Sequence, residues 1–91
     1  MFYLVTYDLN GENKGYSRLA RAIVNASDGE HCWVCESSWL IRSRYQSAEE
    51  VYNKIKSCLD SDDECLVIGV TDNMKGSLPK NKWDKIQQIF S

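Results

Sequence analysis

The residue of this sequence best placed to do chemistry is Asp8, which directly follows the aromatic and β-branched run YLVTY at positions 3–7. A carboxylate at a strand end can point into a cleft and hold a hard cation such as Mg²⁺, or Mn²⁺ in its place, through oxygen. An aspartate close to Asn10 and Gly11 is also a common turn former that caps the loop after a strand. Spacing alone favours the cap, with the metal ligand as the functional alternative.

Ser38 is the second candidate catalytic residue. If the third strand lies beside the first, then Ser37, Ser38 and Asn10 gather near Asp8. Adjacent serines can equally mark only a kink between two strands. The sequence does not indicate a Ser-His-Asp catalytic triad, because its single histidine, His31, has no identifiable serine or aspartate partner. We expect His31 to be a structural residue.

The cysteines Cys32 and Cys35 form a C-x-x-C, which invites a zinc or redox interpretation. Cys58 and Cys65 are separated by six residues, whereas zinc ligand pairs are usually separated by two to four. Cys58 falls on a predicted helix face and Cys65 opens an apolar run, both places where cysteine acts as a small hydrophobe. We therefore expect reduced, structural thiols.

The acidic segment DSDDE at positions 60–64 resembles a calcium loop in composition. It lacks the central glycine and the twelfth-position glutamate of an EF-hand, so a solvated acidic turn is expected. A P-loop or G-x-G-x-x-G motif for nucleotide phosphates is not found in the sequence.

The net charge of −2 argues against strong electrostatic affinity for nucleic acid. Basic residues are concentrated in the first half, which leaves a local patch open. The weak nucleic-acid contacts that we consider are Asn10, Lys14, Arg18 and Arg42. The N-terminus lacks the features of a signal peptide, and its apolar run is too short to cross a membrane, so a soluble cytoplasmic protein is expected.

Hydrophobic periodicity divides the chain into alternating strands and helices. Strand composition covers Phe2–Leu9, helical spacing begins at Tyr16 and ends at Asp28-Gly29, and His31–Arg44 is long enough for two strands with a break near Glu36-Ser37. Ser47 and Glu50 form a capping box that starts a second helix. The continuous apolar run Cys65–Val70 predicts a buried strand, and Pro79 predicts the start of a C-terminal helix.

This order predicts one α+β domain over residues 1–91, a ferredoxin-like βαββαβ sandwich with an extra C-terminal helix. The first strand is largely apolar on both alternating faces, which is typical of a central strand covered on both sides. Two helices cover one face of such a sheet. The terminal helix and a second subunit are the candidates for the other face, and together they predict a homodimer.

Three short segments, YLVTYDL, SSWLIRS and LDSDDECLVIGVT, resemble the SinR-like group. This group is similar to the small CRISPR-associated adaptation proteins, which are dimeric and ferredoxin-like. The likeness covers Phe2–Thr71, and the order and spacing of the motifs carry more of it than any one motif.

The resemblance implies a ferredoxin-like homodimer in which Asp8 faces its symmetry mate and the pair binds a divalent metal for phosphodiester hydrolysis. Our leading hypothesis is therefore a metal-dependent nuclease that acts on RNA or DNA, with Asp8 as a metal ligand and Tyr7 or Ser38 nearby. Membership of the SinR-like group does not imply a CRISPR role. Two alternatives stay open: a non-catalytic dimeric scaffold or nucleic-acid adaptor that binds a protein partner, and a toxin-type ribonuclease similar to VapD.

Overall fold

A computed structural model describes residues 1–10 and 16–91 of the chain. The predicted loop at Gly11–Gly15, which includes Lys14, lies outside the described residues. The elements in chain order are β1 (Phe2–Asp8), α1 (Tyr16–Ala26), β2 (His31–Cys35), β3 (Ser38–Arg42), α2 (Ala48–Ile55) with a 3₁₀ turn at Lys56–Cys58, β4 (Glu64–Gly69) and α3 (Lys80–Phe90).

The described strands form one antiparallel sheet in the order β2-β3-β1-β4, so the chain is a small α+β protein. Strand β1 is central, as its composition predicts, and pairs with β3 on one side and β4 on the other. Strands β2 and β4 are the two edges. The C-terminal residue of β1, Asp8, pairs with Glu64 of β4, whereas the pairing of β1 with β3 ends at Thr6.

One face of the sheet carries the larger core, which α1 and α2 cover. The odd-numbered residues of β1 point to this face because side chains alternate along a strand. They pack with buried residues of the helices and of β3, and the cluster consists of Tyr3, Val5, Tyr7, Leu9, Leu19, Ile23, Ala26, Ile41, Val51 and Ile55. We call this face the helical face.

The opposite face is covered in part by α3. Ile86 and Ile89 of this helix pack against Cys32 of β2 and Leu40 of β3. The ring of Phe90 stacks on that of Phe2 with centroids 4.3 Å apart. Helix α3 thus covers the β2 and β3 half of this second face, which we call the α3 face.

The predicted helix boundaries follow from local chemistry. The Ser47 hydroxyl accepts a hydrogen bond from the Glu50 backbone N–H at 3.2 Å, so the predicted capping box is confirmed. Gly29 follows α1 with φ of 87°, a left-handed conformation that glycine adopts without strain. Pro79 lies immediately before α3, where the missing N–H of proline costs no helical hydrogen bond.

The interpretation of the Cys65–Val70 run as a fully buried strand is wrong. Strand β4 is an edge strand, and α3 does not extend over its α3-face side chains. Leu66 is 55% exposed and Ile68 is 40% exposed, while Cys65 and Val67 pack on the helical face. The run is continuous in sequence because its two faces are both apolar, but only one of them is covered.

Among the described residues, none of the helices is long and apolar enough to cross a membrane.

Candidate functional site

Asp8 and Glu64 lie directly opposite each other at one end of the sheet. Asp8 is the last residue of β1, Glu64 is the first residue of β4, and the two are Cα partners in the antiparallel register. Both side chains are exposed. Together with Thr6, Tyr7, Cys65 and Leu66 they line a shallow cleft of about 260 Å³. The result is a pair of carboxylates on the open part of the α3 face.

Ser38 lies beside this pair on the neighbouring strand. It is the register partner of Thr6, and its hydroxyl donates a hydrogen bond to the Thr6 hydroxyl at 3.3 Å. Thr6 and Asp8 are two residues apart on one strand and therefore point to the same face. Ser38 therefore lies on the same face as Asp8, as predicted, but the residue that it contacts is Thr6. None of the described bases contacts the Ser38 hydroxyl.

Tyr7 points away from the carboxylates and into the core of the helical face. Its side chain is buried, its hydroxyl accepts a hydrogen bond from the Trp39 indole N–H at 3.2 Å, and its ring lies 6.2 Å from that of Tyr16. Burial raises the pKa of Tyr7, against the lowering effect of the Trp39 hydrogen bond. Tyr7 therefore borders the cleft beside Asp8, as expected, but strand alternation directs its side chain to the other face.

Asn10 forms hydrogen bonds with the acidic loop that precedes β4. Its backbone N–H donates to Asp63 Oδ1 at 2.9 Å, and its side-chain amide donates to the Asp62 carbonyl. The other carboxylate oxygen of Asp63 accepts from the Asp60 N–H at 2.8 Å. Carboxylate oxygens of these three aspartates lie within 4.8 Å of one another. The turn brings the three aspartates together, because Asp63 accepts hydrogen bonds from the backbone N–H groups of Asn10 and Asp60. The turn also adds negative charge at the Asp8 end of the sheet.

The basic residues considered as nucleic-acid contacts do not gather around Asp8. Arg42 is the register partner of Phe2, at the other end of β1, roughly 20 Å away along the strand. Arg18, on α1, donates to the Ser57 carbonyl at 2.8 Å. Lys14 lies outside the described residues. The described part of the chain therefore offers an acidic, not a basic, surface at the strand ends.

His31 and the cysteines also lie apart from this site. His31 pairs with Ile41 at the far end of β2, and its ring lies 5.8 Å from that of Trp39. Burial, reinforced by Lys85 and opposed by Glu30, lowers the pKa of His31. All four cysteines are free. Cys35 is exposed, Cys32 packs on the α3 face, and Cys58 and Cys65 pack on the helical face, so the sheet separates Cys32 from Cys58 and Cys65.

Glu64 is the residue of the carboxylate pair that sequence reasoning misses. In the sequence it directly follows Asp63 and has the composition of the acidic turn. Its position as the first residue of a strand, combined with the position of Asp8 as the last residue of another, would have identified it once those strands were known to be antiparallel neighbours.

Comparison with known proteins adds no assignment to this geometry, since no protein-family model matches the chain and no curated protein is significantly similar to it.

Proposed function

We propose that the chain is a metal-dependent nuclease that acts on RNA or DNA phosphodiesters as a homodimer, with Asp8 as the main metal ligand. The observation that carries the proposal is the Asp8–Glu64 register pair. Two exposed carboxylates on adjacent strands form a hard-oxygen site, and divalent cations such as Mg²⁺ prefer oxygen ligands.

The residues present fit such a cation. Mg²⁺ usually takes one or two protein carboxylates and completes its shell with water and substrate phosphate oxygens. Like charges directly opposite each other on a sheet destabilise the pair, and a divalent cation between them would remove this repulsion. The site is exposed and lies in a shallow cleft, which leaves room for water and a phosphate.

The bound cation would supply an activated water and neutralise charge on the phosphate. Asp8 and Glu64 would hold it, and the Thr6 hydroxyl, which accepts the Ser38 hydrogen bond, would donate its own hydrogen bond to a phosphate oxygen. Ser38 would orient the Thr6 hydroxyl and would not act as a nucleophile, since none of the described bases contacts it. Because the acidic loop repels a polyanion, substrate binding at this site depends on the cation.

The fold that we propose is ferredoxin-like. The element order strand, helix, strand, strand, helix, strand and the antiparallel strand order β2-β3-β1-β4 support this topology. Helix α3 is then an addition to it that covers part of the second face.

A homodimer through the open half of the α3 face is part of the proposal. Leu66 and Ile68 are exposed there, and their register partners on β1 are Thr6 and Leu4. Exposed apolar patches on a sheet face are typical of protein interfaces. A second copy related by a two-fold axis on this face would bring its own carboxylate pair towards Asp8 and Glu64.

The test is cleavage of end-labelled single-stranded and double-stranded RNA and DNA with Mg²⁺, with Mn²⁺ and with a chelator. We expect metal-dependent cleavage, lost by about 100-fold or more in Asp8→Asn and reduced in Glu64→Gln, since each removes a charged ligand. Asp72→Asn is the matched control, because Asp72 is exposed and lies beyond the other end of β4. Equal cleavage by the wild type and Asp8→Asn would refute the assignment.

The second candidate function is a non-catalytic dimeric scaffold that binds a protein partner. The observation in its favour is that the acidic strand ends and the exposed leucine and isoleucine of β4 lie on one face. A dimer with no cleavage under any metal condition, unchanged in its association by Asp8→Asn, would favour the scaffold over the nuclease.

A further inference from the structure

A concave pocket of about 590 Å³ lies between α3 and the segment at residues 70–78. Its floor is the α3 face of the sheet, at the opposite end of β1 from Asp8. Its walls are mostly apolar, and they include Leu4, Leu40, Val70, Leu78, Trp83 and Ile86. We call this cavity the α3 pocket.

The α3 pocket has the size and lining of a small-molecule site. Pockets for small ligands typically enclose about 300–1,000 Å³ and combine apolar walls with a few polar groups. Apolar surface left in contact with water costs about 25 cal/mol per Å².

The segment that forms the outer wall is held mainly at its ends. The Val70 N–H donates to the Phe2 carbonyl at 2.9 Å, and Pro79 begins the turn into α3. Within the segment, the described residues form one local hydrogen bond, from the Asn73 N–H to the Thr71 hydroxyl at 3.3 Å. A wall with so few backbone hydrogen bonds to the body of the protein can shift to admit a ligand.

The positive charge of Lys75 at the rim of the α3 pocket favours a ligand with a negatively charged group. Lys75 is exposed and lines the pocket, and among the described residues it forms no ion pair. None of the described residues that line the pocket carries a carboxylate side chain. The pocket therefore presents an apolar interior with a cation at its edge.

We propose that the α3 pocket binds a small amphipathic carboxylic acid, with its hydrocarbon body against Leu40, Val70 and Trp83 and its carboxylate at Lys75. This site is separate from the Asp8–Glu64 pair, and its occupancy does not depend on nuclease activity.

Decanoate and decanol are the probes, titrated into the full chain and followed by calorimetry and by methyl chemical shifts. We expect saturable binding of one decanoate per chain, with the largest shifts at Leu4, Leu40, Val70 and Leu78. The rim ion pair is exposed, so decanoate should bind about threefold to fivefold more tightly than decanol. Lys75→Met should remove that preference, whereas Lys56→Met, on the helical side of the protein, should keep it.

Gly76→Phe tests the cavity itself. Among the described residues, Trp83 is the one that a Cβ at Gly76 would meet, at 3.9 Å, so the backbone tolerates a side chain that then fills the pocket. We expect decanoate affinity to fall by about tenfold or more with the thermal unfolding midpoint preserved. Absence of saturable decanoate binding, binding that Gly76→Phe leaves unchanged, or shifts confined to Leu66 and Ile68 would each overturn the proposal.

Discussion

Asp8 and Glu64 face each other across β1 and β4 as exposed register partners, so two carboxylates share one end of the sheet. In a sheet, opposite charges at such positions stabilise the pairing and like charges weaken it. The protein therefore carries a local repulsion at the position where the proposed cation would bind. This makes the pair testable by its energetics, independently of catalysis.

The first prediction concerns the unfolding free energy in a chelator. Asp8→Asn and Glu64→Gln should each stabilise the fold by at most about 1 kcal/mol, because either removes the same repulsion. The double variant should gain little more than a single one, which is a coupling that a double-mutant cycle measures by urea unfolding.

Added Mg²⁺ or Mn²⁺ should then raise the unfolding midpoint of the wild type and leave that of the double variant unchanged. Asp72→Asn serves again as the control and should respond to the metal as the wild type does. Strictly additive effects in the chelator would mean that the two carboxylates do not interact.

The second prediction concerns Leu66 and Ile68, the exposed apolar side chains of β4 on the α3 face. Leu66→Lys and Ile68→Lys should convert the proposed dimer into a monomer, because a charge buried without a partner opposes association. Sedimentation equilibrium gives the mass directly. Tyr52→Lys is the matched control, since Tyr52 is also 40% exposed but lies on α2, beyond the helical face. A wild type that is monomeric at high micromolar concentration would contradict the dimer.

The third prediction tests whether α3 is an integral part of the fold. Ile89 of α3 and Ile23 of α1 are both fully buried, on opposite faces of the sheet. Replacing either by alanine should cost about 2–5 kcal/mol of unfolding free energy, through lost burial and the cavity left behind. If Ile89→Ala cost almost nothing in denaturant unfolding while Ile23→Ala was severe, α3 would be only loosely docked.

The fourth prediction concerns pH. Burial, aided by the Lys85 ammonium, lowers the pKa of His31 below its ordinary value of 6.5, against the opposing effect of Glu30. The unfolded chain then takes up the proton first as the pH falls. The contribution of His31 to stability is complete above about pH 6.5 and declines as the pH falls below it.

His31→Gln should therefore weaken the loss of stability between about pH 7.5 and pH 5 relative to the wild type. The unfolding free energies at pH 7.5, where His31 is neutral, give the baseline difference between the two proteins. A parallel decline in both proteins would show that His31 does not contribute to the acid sensitivity.

Much of the fold was predictable because local patterns carry it. The capping box at Ser47 and Glu50, the left-handed Gly29 after α1 and Pro79 before α3 are each decided within a few residues. The break between β2 and β3 was also predicted, since the polar residues at 36 and 37 interrupt the apolar pattern.

The candidate site was only half predictable. Asp8 is identifiable because it follows a run of strand-forming residues. Tyr7 borders the same cleft, but its side chain points into the core of the helical face. Ser38 contacts Thr6, which lies between it and Asp8 on this face, because the pairing of β3 with β1 places Ser38 opposite Thr6.

By itself, the sequence determined the kinds of elements, their order and most of their boundaries, since hydrophobic period, caps and turn residues act over short distances along the chain. Only the tertiary structure decided that β4 is an edge strand with an uncovered face, and that Glu64 is the residue opposite Asp8. Those two facts depend on strand pairing between residues more than 50 positions apart, which local propensity does not specify.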